Sequence, residues 1–280
     1  MKLVMTLLVR NEADILSTQI EYHLRRGVDF FIATDNLSTD GTRAILEHYR
    51  GRDLLHLIDQ PDDNYAQNTW VTAMARMAAI DFQADWVINS DADEFWWPEN
   101  EQRLSTVLDR VPRDIDAVQV ARRNFVPLAH TEDRHFAACM TVREATSLNA
   151  LGHSLPPKVC HRAYPDIDVA MGNHQVSRAT ASVTVGDAPL TIDHFPLRSY
   201  QQFCRKISLG GAALERNGNL SPDAVGTWRM LYRKWQRGEL EAFYRAQEIP
   251  ATELESGLAS QRLIRDERLR DFLRQMRIPE

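Results

Sequence analysis

Two aspartates separated by a single residue, Asp91 and Asp93, close the apolar run Trp86-Val87-Ile88. In extended backbone, residues i and i+2 project to the same side, so both carboxylates can face one ion. A hard divalent cation, Mn²⁺ or Mg²⁺, prefers such oxygen ligands and shares its remaining positions readily with a diphosphate. A bare Asp-X-Asp triplet is most often only a solvated acidic turn. This one follows an apolar run directly and is continued by Glu94-Phe95-Trp96-Trp97, which favours the metal reading. Other polar clusters also follow apolar runs: Arg10-Asn11-Glu12, Asp35-Asn36 and the stretch 59–64.

Those clusters can cooperate only if the fold brings them together. Residues 3–9 form a short continuous apolar run, as expected of a strand covered on both faces. A surface helix is predicted over 15–26, stopped by Gly27, then a strand over 29–34, a helix over 42–49, a strand over 54–58, a helix over 66–82 and a strand over 86–89. This βαβαβαβ order implies an α/β fold with a mostly parallel, Rossmann-like sheet flanked by helices. Ligands of such sheets bind outside the carboxyl ends of the strands, where the four polar clusters fall. A helix over 104–111 and a strand over 117–121 follow. The C-terminal region reads as helical over 200–216, 222–237, 239–247 and 260–277. No linker divides the chain, so residues 1–280 are read as a single domain with a nucleotide-binding half (1–98), an acceptor-side half (99–198) and a helical C-terminal region (199–280).

Composition narrows the function. The chain has 280 residues, 44% of them hydrophobic, and a formal charge of −6. That is enough for a sizeable core and gives no basic footprint for nucleic acid. A net-negative protein that binds a phosphorylated ligand needs a local cation, either a metal or well-placed Arg and Lys. Cys139, Cys160 and Cys204 form no CxxC pair, so a reducing, cytoplasmic setting is expected. The apolar run behind Lys2 is too short for a signal peptide and lacks its cleavage site. No stretch reaches the roughly 20 apolar residues of a transmembrane span.

Val9-Arg10-Asn11-Glu12, the segment Asp35-Asn36-Leu37-Ser38-Thr39-Asp40-Gly41-Thr42 and Asp91-Ala92-Asp93-Glu94-Phe95 resemble, in order and spacing, the successive motifs of family 2-like glycosyltransferases with the GT-A fold. His194-Phe195-Pro196-Leu197-Arg198-Ser199, followed by Phe203 and Lys206, resembles a segment of one subgroup. The resemblance implies a metal-dependent enzyme that moves a sugar, with inversion, from a nucleoside-diphosphate sugar to a glycan or other hydroxyl acceptor. A UDP-sugar is the donor expected. Carried over, Arg10, Asn11 and Glu12 border the nucleotide, with Asp91 beside it. Asp35 with Asn36 takes the base or ribose, a role suited to a carboxylate that accepts from N–H and hydroxyl donors. Gln67 and Asn68 open the helix where relatives often set a polar group against the base; an ordinary helix-start residue is the equal alternative. Asp91, Asp93 and His194 form the implied metal set. Arg198 and Lys206, with Lys158, are candidates to stabilise the leaving diphosphate, because negative charge grows there in the transition state.

An inverting enzyme also needs a general base. The Glu-Asp pair familiar in family 2 is absent from the middle of this sequence; Asp166, Asp168, His174 and Asp193 are the alternatives, with His174 preferred. Asp40-Gly41 is assigned to turn and cap chemistry, and His23, His48 and His56 to ordinary element faces. Trp228 and Trp235, seven apart, are read as core, while Trp96 and Trp97 either pack or present faces to sugars. Two rival functions are a sugar nucleotidyltransferase and a catalytically silent carbohydrate-binding protein of the same fold. The first calls for a glycine-rich loop after the first strand, where Leu8 to Glu12 has no glycine.

Overall fold

A computed structural model describes residues 1–100, 103–129, 135–217 and 225–276. In chain order the elements are β1 (Leu3–Val9), α1 (Leu16–Arg25), β2 (Phe30–Asp35), α2 (Thr42–Arg50), β3 (Leu55–Asp59), α3 (Gln67–Ile80), β4 (Trp86–Ser90), β5 (Glu94–Pro98), α4 (Leu104–Asp109) and β6 (Ala117–Asn124). They continue with α5 (Phe136–Cys139), β7 (Val142–Glu144), β8 (Lys158–Arg162), β9 (Ile167–Val169), a 3₁₀ turn (Met171–Asn173), β10 (Val176–Arg178) and β11 (Val185–His194). The remainder is α6 (Tyr200–Arg216), α7 (Gly226–Gln236), α8 (Leu240–Arg245), α9 (Ala251–Ala259), β12 (Leu263–Arg265) and α10 (Arg268–Gln275).

The chain divides into two compact units. The first comprises 1–62, 66–122 and 156–193; the second comprises 63–65, 123–155 and 194–280. The first unit is the α/β body. Its eight-stranded sheet has the order β3-β2-β1-β4-β8-β6-β11-β5. Strands β1 to β4 pair in parallel, as the alternating pattern predicted. Strand β8 runs antiparallel to both β4 and β6, so β6 points the same way as the first four.

Burial explains the apolar runs. β1 and β4 lie in the middle of the sheet, where both faces are covered, and nearly every side chain in them is buried. One face packs Val4, Ile32 and Val87 against Val71, Met74, Ala75 and Ala78 of α3. Each of the Val, Ile and Met side chains contributes roughly 1.5–3 kcal/mol by leaving water. α3 does more than cover the sheet. Thr72 Oγ1 accepts from Val169 N–H at 2.9 Å, and Arg76 Nε donates to the Ile167 carbonyl at 2.7 Å, which fastens β9 to the helix. The β9–β10 hairpin itself uses two of the carboxylates considered as bases: Asp166 pairs with Arg178 at 2.9 Å, and Asp168 with Arg76 at 2.8 Å.

The second unit is mainly helical. Ser199 caps α6, its Oγ accepting from Gln202 N–H at 3.2 Å. α6, α7 and α8 enclose Phe203, Ile207, Leu231, Tyr232, Leu240 and Tyr244. Gly210 and Gly211 allow the close approach, since a Cβ at either would run into the Trp228 or Tyr232 ring. Trp228 is partly buried, but Trp235 is 38% exposed and stacks on Tyr232, so the core reading holds for only one of the pair. The helix expected over 222–237 begins at Gly226, and 218–224 lie outside the described residues. The helix expected over 260–277 is not formed as such. β12 takes Leu263–Arg265, pairing antiparallel with β7, and α10 takes Arg268–Gln275; residue 277 lies outside the described residues. α9, over Ala251–Ala259, has no counterpart among the helices expected from the sequence. Among the described residues no helix is long and apolar enough to cross a membrane.

Candidate active site

In the first unit the strand register aligns the polar clusters on one edge. Val9 is paired with Asp35, Asp35 with Asp59, and Leu7 with Ser90. The carboxyl ends of β1, β2, β3 and β4 therefore lie side by side. The order 3-2-1-4 reverses direction between β1 and β4, and such a switch point opens a crevice at the strand ends. Asn11 flanks it from β1 and Asp91 from β4.

Asn11 adopts φ +58°, a left-handed conformation that Asn tolerates better than most residues. Its Oδ1 accepts from Thr39 N–H at 2.7 Å, its own N–H donates to Ser38 Oγ at 3.1 Å, and its buried Nδ2 meets no protein acceptor. Glu12 launches α1: its N–H donates to Thr42 Oγ1 at 2.8 Å and its carbonyl accepts from Ile15 and Leu16. Asp35 is buried, accepting from Ser38 N–H at 3.2 Å with Arg43 at 3.8 Å. Asn36 spends both amide hydrogens on the loop after β3, donating to the carbonyls of Gln60 at 3.0 Å and Asp62 at 2.8 Å. Asp40 accepts from Thr42 N–H at 2.9 Å, the expected turn role. Arg10 is half-buried beside them.

The acidic motif is a turn between β4 and β5, not extended chain. Glu94 N–H donates to the Asp91 carbonyl at 3.2 Å, and Asp91 N–H donates to Glu94 Oε2 at 3.3 Å. The same-side argument for residues i and i+2 therefore does not describe it. The turn exists because Glu94 starts a new strand whose aromatics are core: Phe95, Trp96 and Trp97 are buried, which removes Trp96 and Trp97 as sugar platforms. What gathers at the turn is a charge network. Lys158, 1% exposed and first residue of β8, sets its Nζ 2.6 Å from Asp91 Oδ2 and 3.1 Å from Glu94 Oε1. Arg122 of β6 lies 3.7 Å from the same Glu94 oxygen and donates from Nε and Nη2 to the Pro156 carbonyl. Burial pushes the Glu94 carboxyl up to about 7, against the pull of Lys158. Burial alone would lower the Lys158 ammonium, but Asp91 and Glu94 outweigh it and raise its pKa.

Carboxylate oxygens suit a hard cation; Asp91 is about one-third exposed at the turn and Asp93 is 1% exposed. Lys158 already engages one Asp91 oxygen. Among the described residues, no three His, Cys, Asp or Glu side chains are grouped as metal ligands.

A second turn in the same unit carries His174. Gln67, the first residue of α3, accepts at Oε1 from Gly172 N–H at 3.0 Å. Asn173 Nδ2 donates to the Asn89 carbonyl at 3.3 Å, and the Asn89 side chain joins Thr6 and His161. His174 Nδ1 lies 2.8 Å from the Pro157 carbonyl, so Nδ1 carries the hydrogen and Nε2 the lone pair. Burial, then Lys158, push its pKa down to about 4, so the ring is neutral near pH 7. Sequence patterns leave Arg122, Asn89 and His161 unassigned and present Glu94 only as context for the acidic motif. Their only local signal is a charged or polar residue inside an apolar strand.

His194, Arg198 and Lys206 belong to the second unit. His194 Nδ1 donates to Asn124 Oδ1 at 2.8 Å, which leaves Nε2 as its basic nitrogen. Arg198 is buried and donates to the Phe195 carbonyl at 3.1 Å. Lys206 is half-buried on α6. Asp193, at the end of β11 in the first unit, is fully buried.

The model of glycosyltransferase family 92 matches residues 4–217. The chain belongs to this family. The match runs from β1 into α6; it shows a glycosyltransferase family, numbered 92 where the resemblance was to family 2, and does not itself show the acidic motif or the segment after His194. No curated protein matches the sequence. Solved structures of low similarity include S. aureus TarS 1-349 in complex with UDP, at 14% identity and TM-score 0.45, covering 84% of this chain and 72% of that one. The complex of the same protein with UDP-GlcNAc has 13% identity, TM-score 0.46 and the same coverage. Glucosyl-3-phosphoglycerate synthase from Mycobacterium tuberculosis, with Mn²⁺, UDP and glucosyl-3-phosphoglycerate, has 17% identity and TM-score 0.32, with 44% of each chain covered.

Proposed function

We propose that this family 92 protein transfers a sugar from a nucleoside-diphosphate sugar to a hydroxyl acceptor, using the crevice between the ends of β1 and β4. The observation that carries this reading is the acidic turn at the switch point, held by the buried Lys158 beside Asp91 and Glu94. The unpaired Nδ2 of Asn11 and the buried Asp35 carboxylate, on the same edge, supply a donor and an acceptor for the nucleoside. Arg10 and Glu12 border it.

Transfer forms a bond between the acceptor oxygen and the anomeric carbon as the bond from that carbon to the β-phosphate oxygen breaks. The diphosphate leaves with both electrons, so a cation beside it acts most strongly in the transition state. Asp91 and Asp93 would hold a Mn²⁺ or Mg²⁺ ion, which neutralises the departing diphosphate. Lys158 keeps the turn's carboxylates in place and contributes its own positive charge. His174 takes the acceptor proton on Nε2, in keeping with inversion. His194 as a metal ligand, and Arg198 and Lys206 as diphosphate contacts, are separate proposals for the second unit, each tested by substitution. The 2.6 Å Lys158–Asp91 pair also favours a second reading, in which the ammonium is the principal cation and added metal is dispensable.

Thermal unfolding with UDP, with and without Mn²⁺, tests the proposal, because a ligand of the native state raises its stability. Wild type is expected to shift upward with UDP and Mn²⁺ together, and Asp93→Asn to lose at least tenfold in UDP affinity. No shift in wild type with UDP under either condition contradicts it. A full shift without Mn²⁺ selects the lysine reading.

A further inference from the structure

The turn that presents His174 is strained. Gly172 (φ +74°) and Asn173 (φ +59°) are consecutive left-handed residues, a conformation that costs most non-glycine residues roughly 1–2 kcal/mol and asparagine less. Asn173 is 3% exposed, and its Oδ1 finds no hydrogen-bond partner. Strain of this kind persists only where the surroundings over-determine the backbone, and it concentrates at functional sites. Three side-chain contacts do so here, beside the turn's own backbone bonds from Asn173 N–H to the Ala170 carbonyl at 3.0 Å and from Ala170 N–H to the Gln175 carbonyl at 2.9 Å. Asn173 is tied to the Asn89 carbonyl, the His174 ring to the Pro157 carbonyl, and Gly172 N–H to Gln67 Oε1, 105 residues away in sequence. The imidazole folds back over Gly172 so closely that a Cβ there would lie 2.6 Å from Nε2. The position of Gly172 therefore sets the position of the ring.

We propose that Gln67 is a positioning residue which, by holding Gly172 N–H, fixes the His174 imidazole for proton abstraction from the acceptor. The inference rests on His174 as the base. It gives Gln67 a task other than nucleotide contact, and the two tasks make different demands. A clamp needs only an acceptor atom at Oε1. A nucleotide contact would register in UDP affinity. The charged groups acting on the ring are Lys158 of β8, Arg122 of β6 and Asp91 of the acidic turn; Gln67 adds none, so its loss reaches His174 through geometry.

The experiment compares full-length wild type with Gln67→Ala and Gln67→Glu. It reads Gly172 amide exchange, the ring ¹⁵N shifts of His174, UDP affinity by calorimetry, and the pH profile of UDP release from UDP-glucose. In Gln67→Ala, Gly172 exchange is expected to quicken at least tenfold and the Nδ1–H tautomer of His174 to lose its lock. UDP affinity should stay within threefold, and the acid limb of UDP release should move up from about pH 4 as kcat falls tenfold or more. Gln67→Glu, which keeps an acceptor, restores slow Gly172 exchange. Unchanged His174 shifts in Gln67→Ala, with or without weaker UDP binding, overturn the proposal. The base reading is tested separately by His174→Ala: if UDP release survives with its acid limb intact, His174 is not the base, while the exchange and ¹⁵N results still report whether Gln67 holds the ring.

Discussion

Two turns of the first unit are held by different forces. The acidic turn, Asp91 to Glu94, is held by charge: two carboxylates converge on one buried ammonium, with Arg122 behind it. The turn from Met171 to His174 is held by neutral hydrogen bonds to Gln67, Asn89 and Pro157, which keep two left-handed residues in place. A charged cluster tolerates small displacements because Coulomb attraction falls slowly with distance. Hydrogen bonds lose their strength within a few tenths of an ångström and a modest angle. The first arrangement suits a ligand that brings its own charge, such as a diphosphate. The second suits a group that must be aimed, such as a base.

The largest expected effect is that of acid on the hydrogen-bonded region. His161 accepts from the Asn89 amide that underlies the second turn, and burial pushes its pKa down to about 4. His23, pushed down to about 3 by burial, accepts from Trp96 N–H while its other nitrogen donates to the Gln19 carbonyl. Both bind fewer protons folded than unfolded, so their contribution is present above about pH 6.5 and lost as pH falls toward 4. Glu94, raised to about 7, works in the opposite sense over much of that range. Each tenfold change in proton affinity between the folded and unfolded chain is worth about 1.4 kcal/mol, so the two histidines together outweigh the one carboxyl. His174 is lowered in the same sense, so stability is expected to fall by more than about 4 kcal/mol from pH 6.5 to 4, measured by urea unfolding. A flat profile would mean that these rings are not held neutral.

Next in size is Lys158→Met. Removing the ammonium leaves Glu94 buried without its nearest cation, a change that costs about 3–5 kcal/mol in fully buried pairs. Asp91 is about one-third exposed and Glu94 protonates readily, so a loss of about 3 kcal/mol is expected in the same assay. A loss below about 1 kcal/mol would mean that the acidic turn does not depend on charge. Smallest is Gly172→Ala, at about 1–2 kcal/mol from its positive φ. There the sharper readout is His174, whose ring must move to admit the methyl group.

The same contrast explains what could be read from the sequence. β1 and β4 were legible because central parallel strands need apolar runs, which residues 3–9 and 86–88 supply. Asp91 and Asp93 were legible because they end such a run. β5 was not, because Glu94 looks like part of the acidic motif until Phe95, Trp96 and Trp97 are seen to be core. β12 was hidden inside a helical pattern, since its partner β7 lies about 120 residues earlier and local periodicity cannot report such pairing. Lys158 could be picked out as a cation, but its seat beside Asp91, 67 residues away, depends on the antiparallel placement of β8. The Gln67–Gly172 bond is non-local in the same way, which is why Gln67 read only as a polar helix start.

The central claim is that the donor lies where β1 and β4 diverge, against the acidic turn. A crystal structure of the protein with UDP and Mn²⁺ tests it most directly. The diphosphate is expected within hydrogen-bonding or metal-bridged reach of Asp91, Asp93 and Lys158, with the nucleoside against Asp35 and Asn11. Nucleotide bound elsewhere, with the carboxyl ends of β1 and β4 open to solvent, would contradict it.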